Sequence, residues 1–332
     1  MNFLLAADLH LTDASLEDYR WEIFKRLKEL AKENEVAHIY LLGDVWDRKD
    51  RHTGKLVNRL IDSLYELRNG TDLIISILAG NHDSPIDGVP YWEFLNKHEG
   101  IHYITHPEFH YNEIAVLPFS PNPIRDWKDI PFHQAKAILM HQPVQGAFVN
   151  EYRKLDKAPV LPPLPRNVPC FSGDIHRPQV LDNIIYIGVP HPVHFTEDWE
   201  HRIILIKDSE FSKYQEIIMP SLRRCILEIN SAAELANYDK FKDGDQLRIR
   251  VKLDGRILSS WPVEQQQILE WAKKKGVFIA SLEAAIMGDA VQDSQEEGMV
   301  EIMNPEDVIR QYGQQEKLSD DVVEMGLSFL KE

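Results

Sequence analysis

Asp8 and His10, Asp44, Asn81 and His82, His141, and His176 each follow an apolar, strand-like run or the turn that ends it. Carboxylate, imidazole and amide oxygen together make a mixed hard-to-borderline ligand set. Such a set suits manganese, iron or zinc better than an ion selected by thiolates. A carboxylate shared by two cations reduces their mutual repulsion, and two cations roughly 3.5–4 Å apart clamp a phosphate and lower the pKa of a shared water. The chemistry indicated is hydrolysis of a phosphoester. Asp8-Leu9-His10 is expected to place two ligands on one side of an extended segment, because side chains alternate along a strand. Asp44 follows Gly43, and Asn81-His82 follows Gly80, where glycine permits a sharp turn. Each motif alone has a plainer explanation: Gly-Asp is a common turn, Gly80-Asn81-His82-Asp83 fits an Asx-type turn, and His141 fits a hydrogen-bonded core histidine. Turns do not explain why four or five separate strand ends all present ligands.

The elements that must hold these residues alternate. Apolar runs at 3–7, 37–42 and 73–78 read as buried strands, separated by helices at about 16–34 and 56–68. Strand, helix, strand, helix, strand argues α/β layering, and the polar strand ends are where such sheets build sites. A short helix at 91–97 and strands at 101–104, 114–117, 137–140, 168–172, 184–188 and 201–208 extend this into two sheets enclosed by helices. Residues 147–169 carry five prolines and read as irregular. A second pattern follows, with strands at 224–228 and 246–253, an amphipathic helix at 264–274 and a further strand that begins with 276–280. Two short helices are expected over 304–329, the first capped by Asn304 with Pro305 behind it. Isolated helices of this length are marginal in water, so they must pack on something.

The 332-residue chain is 43% apolar, enough for one sizeable core and a smaller module. Its formal charge is -16, from 53 acidic and 37 basic residues, which is not the balance of a free-standing nucleic-acid-gripping domain. Cys170 and Cys225 are not in a paired spacing, so neither a disulfide framework nor a cysteine zinc site is indicated, and a reducing compartment is the natural reading. The apolar N-terminal run is too short for a signal peptide, and no run reaches the length of a membrane span. A cytoplasmic location is expected (the host cytoplasm if the chain is phage-encoded).

The order Asp8-x-His10, Gly43-Asp44-x-x-Asp47, Gly80-Asn81-His82-Asp83, His141 resembles the calcineurin-like metallophosphoesterase superfamily, and within it the Mre11/SbcD nuclease family of phage or bacterial type. Gly173-Asp174-Ile175-His176-Arg177-Pro178-Gln179 resembles the family's Gly-His-x-His-x-Pro-Gln segment, and Gly188-Val189-Pro190 with Phe195 and Glu197 resembles its Gly-Ser-Pro…Phe-x-Glu segment. The likeness covers about residues 1–210. It implies a four-layer α/β/β/α metallophosphoesterase sandwich over 1–215, a small α/β capping domain over 216–288 and a helical partner-docking tail over 289–332.

By the same resemblance, Asp8, His10, Asp44 and His176 hold a first cation. Asp44 bridges to a second, held also by Asn81, His141 and Asp174. Asp174 stands where the family has histidine. A carboxylate there either binds the second cation, favouring manganese or magnesium over zinc, or lowers the occupancy of that site. His82 is the implied proton donor to the leaving oxygen, with Asp83 orienting its ring, and Arg48 and His52 are candidate phosphate contacts. Trp46 and Trp92 read as packing residues. The implied activity is that of a manganese-dependent 3'-to-5' exonuclease and endonuclease on DNA, serving repair, recombination and replication as the partner of a Rad50/SbcC-like ATPase. That partner would supply basic DNA-binding surface that this acidic chain lacks. The implied homodimer uses the helices at 56–67 and 91–95. A small-substrate phosphodiesterase or phosphoprotein phosphatase of the same superfamily is the alternative, and a structural subunit without catalysis a third.

Overall fold

The computed structural model describes residues 1–49, 52–83, 90–150, 153–254 and 260–287. The expected helical tail lies outside the described residues.

The first sheet is built on β1 (Asn2–Ala6), β2 (Val36–Leu41), β3 (Ile74–Leu78) and β4 (Ile101–Ile104), all parallel in that order. Between β1 and β2 the chain crosses over through α1 (Glu22–Glu33), and between β2 and β3 through α2 (Gly54–Arg68). The second sheet runs β5 (Glu108–His110), β6 (Ile114–Leu117), β7 (Ala137–His141), β8 (Cys170–Gly173), β10 (Ile184–Tyr186), β9 (Gln179–Leu181), and its central strands are parallel. β11 (Arg202–Ile206) and β12 (Gln215–Ile218) return antiparallel to finish the first sheet beside β1.

Strand periodicity sorts the core. Leu4 and Ala6 face α1 and α2 with Leu27, Leu30, Leu60 and Leu64, whereas Phe3, Leu5 and Ala7 face the second sheet, meeting Val116, Leu139 and Phe171. The outer face of the second sheet is covered by Trp127, which follows the one-turn helix α3 (Pro123–Asp126), and by Leu161 and Leu164 of the proline-rich segment. Trp46 and Trp92 are buried and stacked, 3.7 Å between ring centroids, as packing residues.

Helix α1 begins later than the apolar spacing suggests. Ser15–Trp21 forms a 3₁₀ turn, in which Arg20 and Trp21 are buried and bond back to the carbonyls of His10 and Thr12. In α2, Thr53 caps the N-terminus by accepting from Leu56 N. Leu56, Leu60, Leu64 and Leu67 are all buried in the chain's own core.

The third sheet orders β13 (Arg224–Ile229), β14 (Gln246–Asp254) and β15 (Phe278–Met287) in parallel, with α4 (Trp261–Lys275) on one face. Helix α4 ends on Gly276 at φ +73°, a left-handed cap. β15, which begins within the expected 276–280 run, continues to Met287.

Candidate metal centre

The ends of β1, β2, β3, β7 and β8 converge on one buried cluster. Backbone bonds fasten the first two ligand loops together: Asp8 N to Gly43 O (3.0 Å), His10 N to Asp44 O (3.0 Å) and Leu11 N to Val45 O (2.9 Å). The Asp8–His10 segment is not extended, as its alternation suggested. Asp8 and His10 both have positive φ, +53° and +43°, and Asp44 and Asp174 share this left-handed conformation at +48° and +79°. Non-glycine residues rarely adopt it, and such strain persists where the surroundings impose it, commonly at functional sites. Gly43 and Gly80 are required by close approach: a Cβ on Gly43 would overlap the His141 ring, and one on Gly80 would overlap Asp44.

Among the described residues, the ligand atoms of Asp8, His10 and His176 lie within 4.8 Å of one another, and so do those of Asp8, Asp44 and His141. Asp44 faces both groups, with Oδ2 3.9 Å from His10 Nε2 and Oδ1 3.4 Å from His141 Nε2. Asp174 Oδ1 is 3.7 Å from His141 Nε2, and its backbone N–H donates to Asp8 Oδ1 at 3.0 Å. The Asn81 amide closes the far side. With its nitrogen inward it donates to Asp44 Oδ2 at 2.9 Å, and a half-turn of the amide presents its oxygen to the same space. All seven residues expected to ligate are thus brought together.

The imidazoles are held with one nitrogen directed at the cluster. His141 Nδ1 donates to Leu42 O (2.7 Å) and His176 Nδ1 to Glu197 Oε1 (2.6 Å), which leaves each Nε2 pointing inward. This is the support that metal-ligating histidines ordinarily have. Glu197 Oε2 accepts in turn from Val193 N at 2.6 Å. The role of Glu197 was not read from the sequence, although it lies in the Phe-x-Glu segment that carried part of the resemblance. His194, stacked on His176 at 5.1 Å, was missed too, and it forms a further group with His176 and Glu197.

The electrostatics fit a centre made for cations. Burial pushes the Asp8 carboxyl up to about 7 and also raises Asp174. Asp8 Oδ2 is buried with no partner among the described residues, and His10 Nε2 faces His176 Nε2 at 3.1 Å. Burial acts to raise Asp44 too, but His141 and His10 outweigh it and hold Asp44 low. Burial acts to lower His141, and is outweighed by Asp44, Asp8 and Asp174, so its basicity rises well above the usual range. Carboxylates that burial pushes toward neutrality, an orphaned oxygen and opposed nitrogen lone pairs all need positive charge in their midst. Divalent cations meet that need.

His82 stands at the rim, its ring edge-on to His10 with centroids 5.0 Å apart. Its backbone N–H donates to Asp44 Oδ1 (2.8 Å) and its Nδ1 bonds the Asp47 carbonyl (2.6 Å). Asp83 does not orient this ring. Its Oδ2 accepts from Gly80 N (2.7 Å) and Asp44 N (2.8 Å), because the tight Gly80 turn carries the carboxylate inward, where burial and then Asp44 raise its pKa to about 8. Asp83 is therefore the clasp between two ligand loops. Arg48 is exposed, with its charge near Asp13, and His52 packs on the rings of Tyr91 and Trp92, 4.5 and 4.7 Å away.

Strand ends of a two-sheet α/β fold that converge on carboxylates, imidazoles and an amide define a metal-dependent phosphoester hydrolase. The chain matches the calcineurin-like phosphoesterase family over residues 1–209 and belongs to it. Among solved structures the chain is similar to Pseudomonas putida nuclease MPE, at 17% identity and TM-score 0.32 over 61% of this chain and 84% of that one. It is also similar to a novel archaeal phosphodiesterase, at 11% identity and TM-score 0.35 over 66% of this chain and all (100%) of the other. No curated protein matches the chain. No helix among the described residues is long and apolar enough to cross a membrane.

Proposed function

We propose that this chain is a DNA nuclease that hydrolyses phosphodiester bonds at a two-cation centre, as a subunit working with a Rad50/SbcC-like ATPase. The observation that carries the step from phosphoesterase to nuclease is where the capping sheet sits. Arg224 and Arg248 place their guanidinium groups 4.2 and 4.3 Å from the Phe195 ring, two residues from the Glu197 that holds His176. The cap is thus built onto the rim of the centre, which suits a long polymeric ester better than a small one. The formal charge of -16 supports a division of labour in which a basic partner carries most of the DNA. Self-association remains part of this reading.

Asp8, His10, Asp44 and His176 would hold the first cation, and Asp44, Asn81, His141 and Asp174 the second. Bound cations, manganese in this reading, clamp the phosphate and bring a water's pKa near neutrality. The chain's own residues do the rest. Asp44, reached by both ligand groups, fixes their spacing. The bond from His82 Nδ1 to Asp47 O commits that nitrogen, so Nε2 is the one that protonates the leaving oxygen. Arg48 and His52 would serve as outer contacts to the DNA phosphates.

The test is manganese-dependent cleavage of supercoiled plasmid and of labelled duplex and single-stranded oligonucleotides, compared with p-nitrophenyl phosphate and its bis-ester, with and without EDTA. DNA cleavage abolished by chelation is expected. Turnover of the small esters or of a phosphoprotein with DNA left intact would overturn the nuclease reading in favour of a small-substrate phosphodiesterase or phosphatase. Co-purification with a coiled-coil ATPase tests the partner.

A further inference from the structure

We propose that Arg224, contributed by the capping sheet, is a positioning residue for the His10–His176 pair. Arg224 opens β13 and is buried. Its Nη1 donates to the Val193 carbonyl and its Nη2 to Glu17 Oε1 at 3.3 Å. Arg20, also buried, comes to the same two acceptors from the other side, with Nη2 2.7 Å from Glu17 Oε1 and 3.2 Å from Val193 O. Two buried guanidinium groups thus share one carboxylate and one carbonyl, and loss of Arg224 would leave Arg20 alone to hold both.

Both arms of this unit end on proposed ligands. Through its Nη1, Arg20 donates to the backbone carbonyl of His10. Val193, whose carbonyl receives both arginines, gives its own N–H, on the preceding peptide group, to Glu197 Oε2 at 2.6 Å, and Glu197 Oε1 bonds His176 Nδ1 at 2.6 Å. The His10 backbone and the His176 ring are therefore set by one network, and their Nε2 atoms meet at 3.1 Å. Asn81, His141 and Asp174 take no part in it among the described bonds; they are fixed through Leu42, Asp44 and Asp8. Among the described bonds the cap is thus wired directly to the His10–His176 half of the metal centre, and reaches the other half only through the His10 N–H bond to Asp44 O. The inference rests on the cation-binding reading of that centre.

The experiment is calorimetric titration of the full chain with Mn2+ beside thermal unfolding, for wild type, Arg224→Met, Glu17→Gln and Arg248→Met. His10→Ala identifies which binding class belongs to the histidine pair. Arg224→Met is expected to weaken that class roughly tenfold, the scale for lost support behind a ligand, and to leave the other class unchanged. Nuclease activity should recover at raised Mn2+. Arg248 lies on the same Phe195 ring without joining the bonds to Val193 and Glu17 among the described residues, so Arg248→Met should lower the melting temperature and change neither class. Glu17→Gln keeps the shape and loses the charge, and should weaken the same class. It decides the question alone if Arg224→Met does not fold. Wild-type affinity in both classes for Arg224→Met and Glu17→Gln would reduce Arg224 to an anchor for the cap and overturn the proposal. A wild-type chain that binds no Mn2+ would instead refute the metal reading on which it stands.

Discussion

His10 and His176 oppose each other through their Nε2 atoms at 3.1 Å, in a cluster with an Asp8 oxygen that is buried and has no partner among the described residues. Two lone pairs at that separation repel unless a proton or a cation lies between them. Burial lowers His10 to about 4, so it stays neutral near pH 7. Burial acts to lower His176 as well, but the Glu197 bond and Asp8 outweigh it and raise it, so of the two rings His176 holds a proton the more readily. His141 is raised in the same way. A cation must displace these protons. Mn2+ binding is expected to release protons, more at pH 6 than at pH 8, because the raised histidines are more fully protonated at the lower pH. Calorimetry in buffers of different ionisation enthalpy reads this directly, and a buffer-independent enthalpy would contradict it. At a hundredfold excess over Kd, the cation should add about 2.7 kcal/mol to stability per site.

His82→Ala separates binding from chemistry. The bond from residue 82 to Asp44 comes from the backbone N–H and survives the substitution, whereas the imidazole proposed to protonate the leaving oxygen is lost. Metal affinity should be preserved and DNA cleavage should fall by roughly 10²–10⁴-fold. Equal losses in affinity and rate would mean that His82 belongs to the ligand set.

Ile101–Ile104 and Ile114–Leu117 fall where their apolar runs place them, because buried parallel strands read as continuous hydrophobic stretches. The short edge strands Glu108–His110, Gln179–Leu181 and Gln215–Ile218 carry no such run, and pairing alone makes them strands. β15 continues through Ser281, Leu282, Glu283 and Ala284, residues of helical habit, because their register on β14 overrides local preference. The ligand types were legible, but their backbone was not, since nothing local marks Asp8 or His10 for a left-handed conformation. Nor is a buried Arg20 visible in a segment that reads as an amphipathic helix. Asp83 beside His82 in sequence suggests a ring partner, and only the fold shows the Asp44 amide within reach of that carboxylate.

Gly80→Ala tests how tightly the third ligand loop presses on the second. An added Cβ would fall on the Asp44 carboxylate and its backbone nitrogen, neither of which is a flexible chain end. Asp44 faces both ligand groups, so both should suffer. The expected result is a folded protein of lowered melting temperature that has lost measurable binding of both cations. Retention of two wild-type sites would show that Asp44 does not serve both.

His38 gives a pH dependence away from the metal centre. It is buried between Tyr111 Oη and Ser76 Oγ, each 2.8 Å from a ring nitrogen, and burial lowers its pKa from 6.5 to about 3. A folded-state pKa depressed below the unfolded value means that between those two values the unfolded chain binds a proton and the folded chain does not. The stability contributed is fully present above pH 6.5 and is lost as pH falls toward 3. From pH 7 to pH 5 the loss from this one group is about 2 kcal/mol. Glutamine can keep polar contacts to the same hydroxyls but does not titrate. His38→Gln should therefore be less stable than wild type at pH 7 and lose about 2 kcal/mol less on going to pH 5. Urea unfolding at both pH values, with EDTA present so that ligand titration is common to both proteins, measures the difference. Parallel losses in the two proteins would place the acid sensitivity elsewhere, with His191 the next candidate, buried against the Leu9 carbonyl and likewise lowered to about 3.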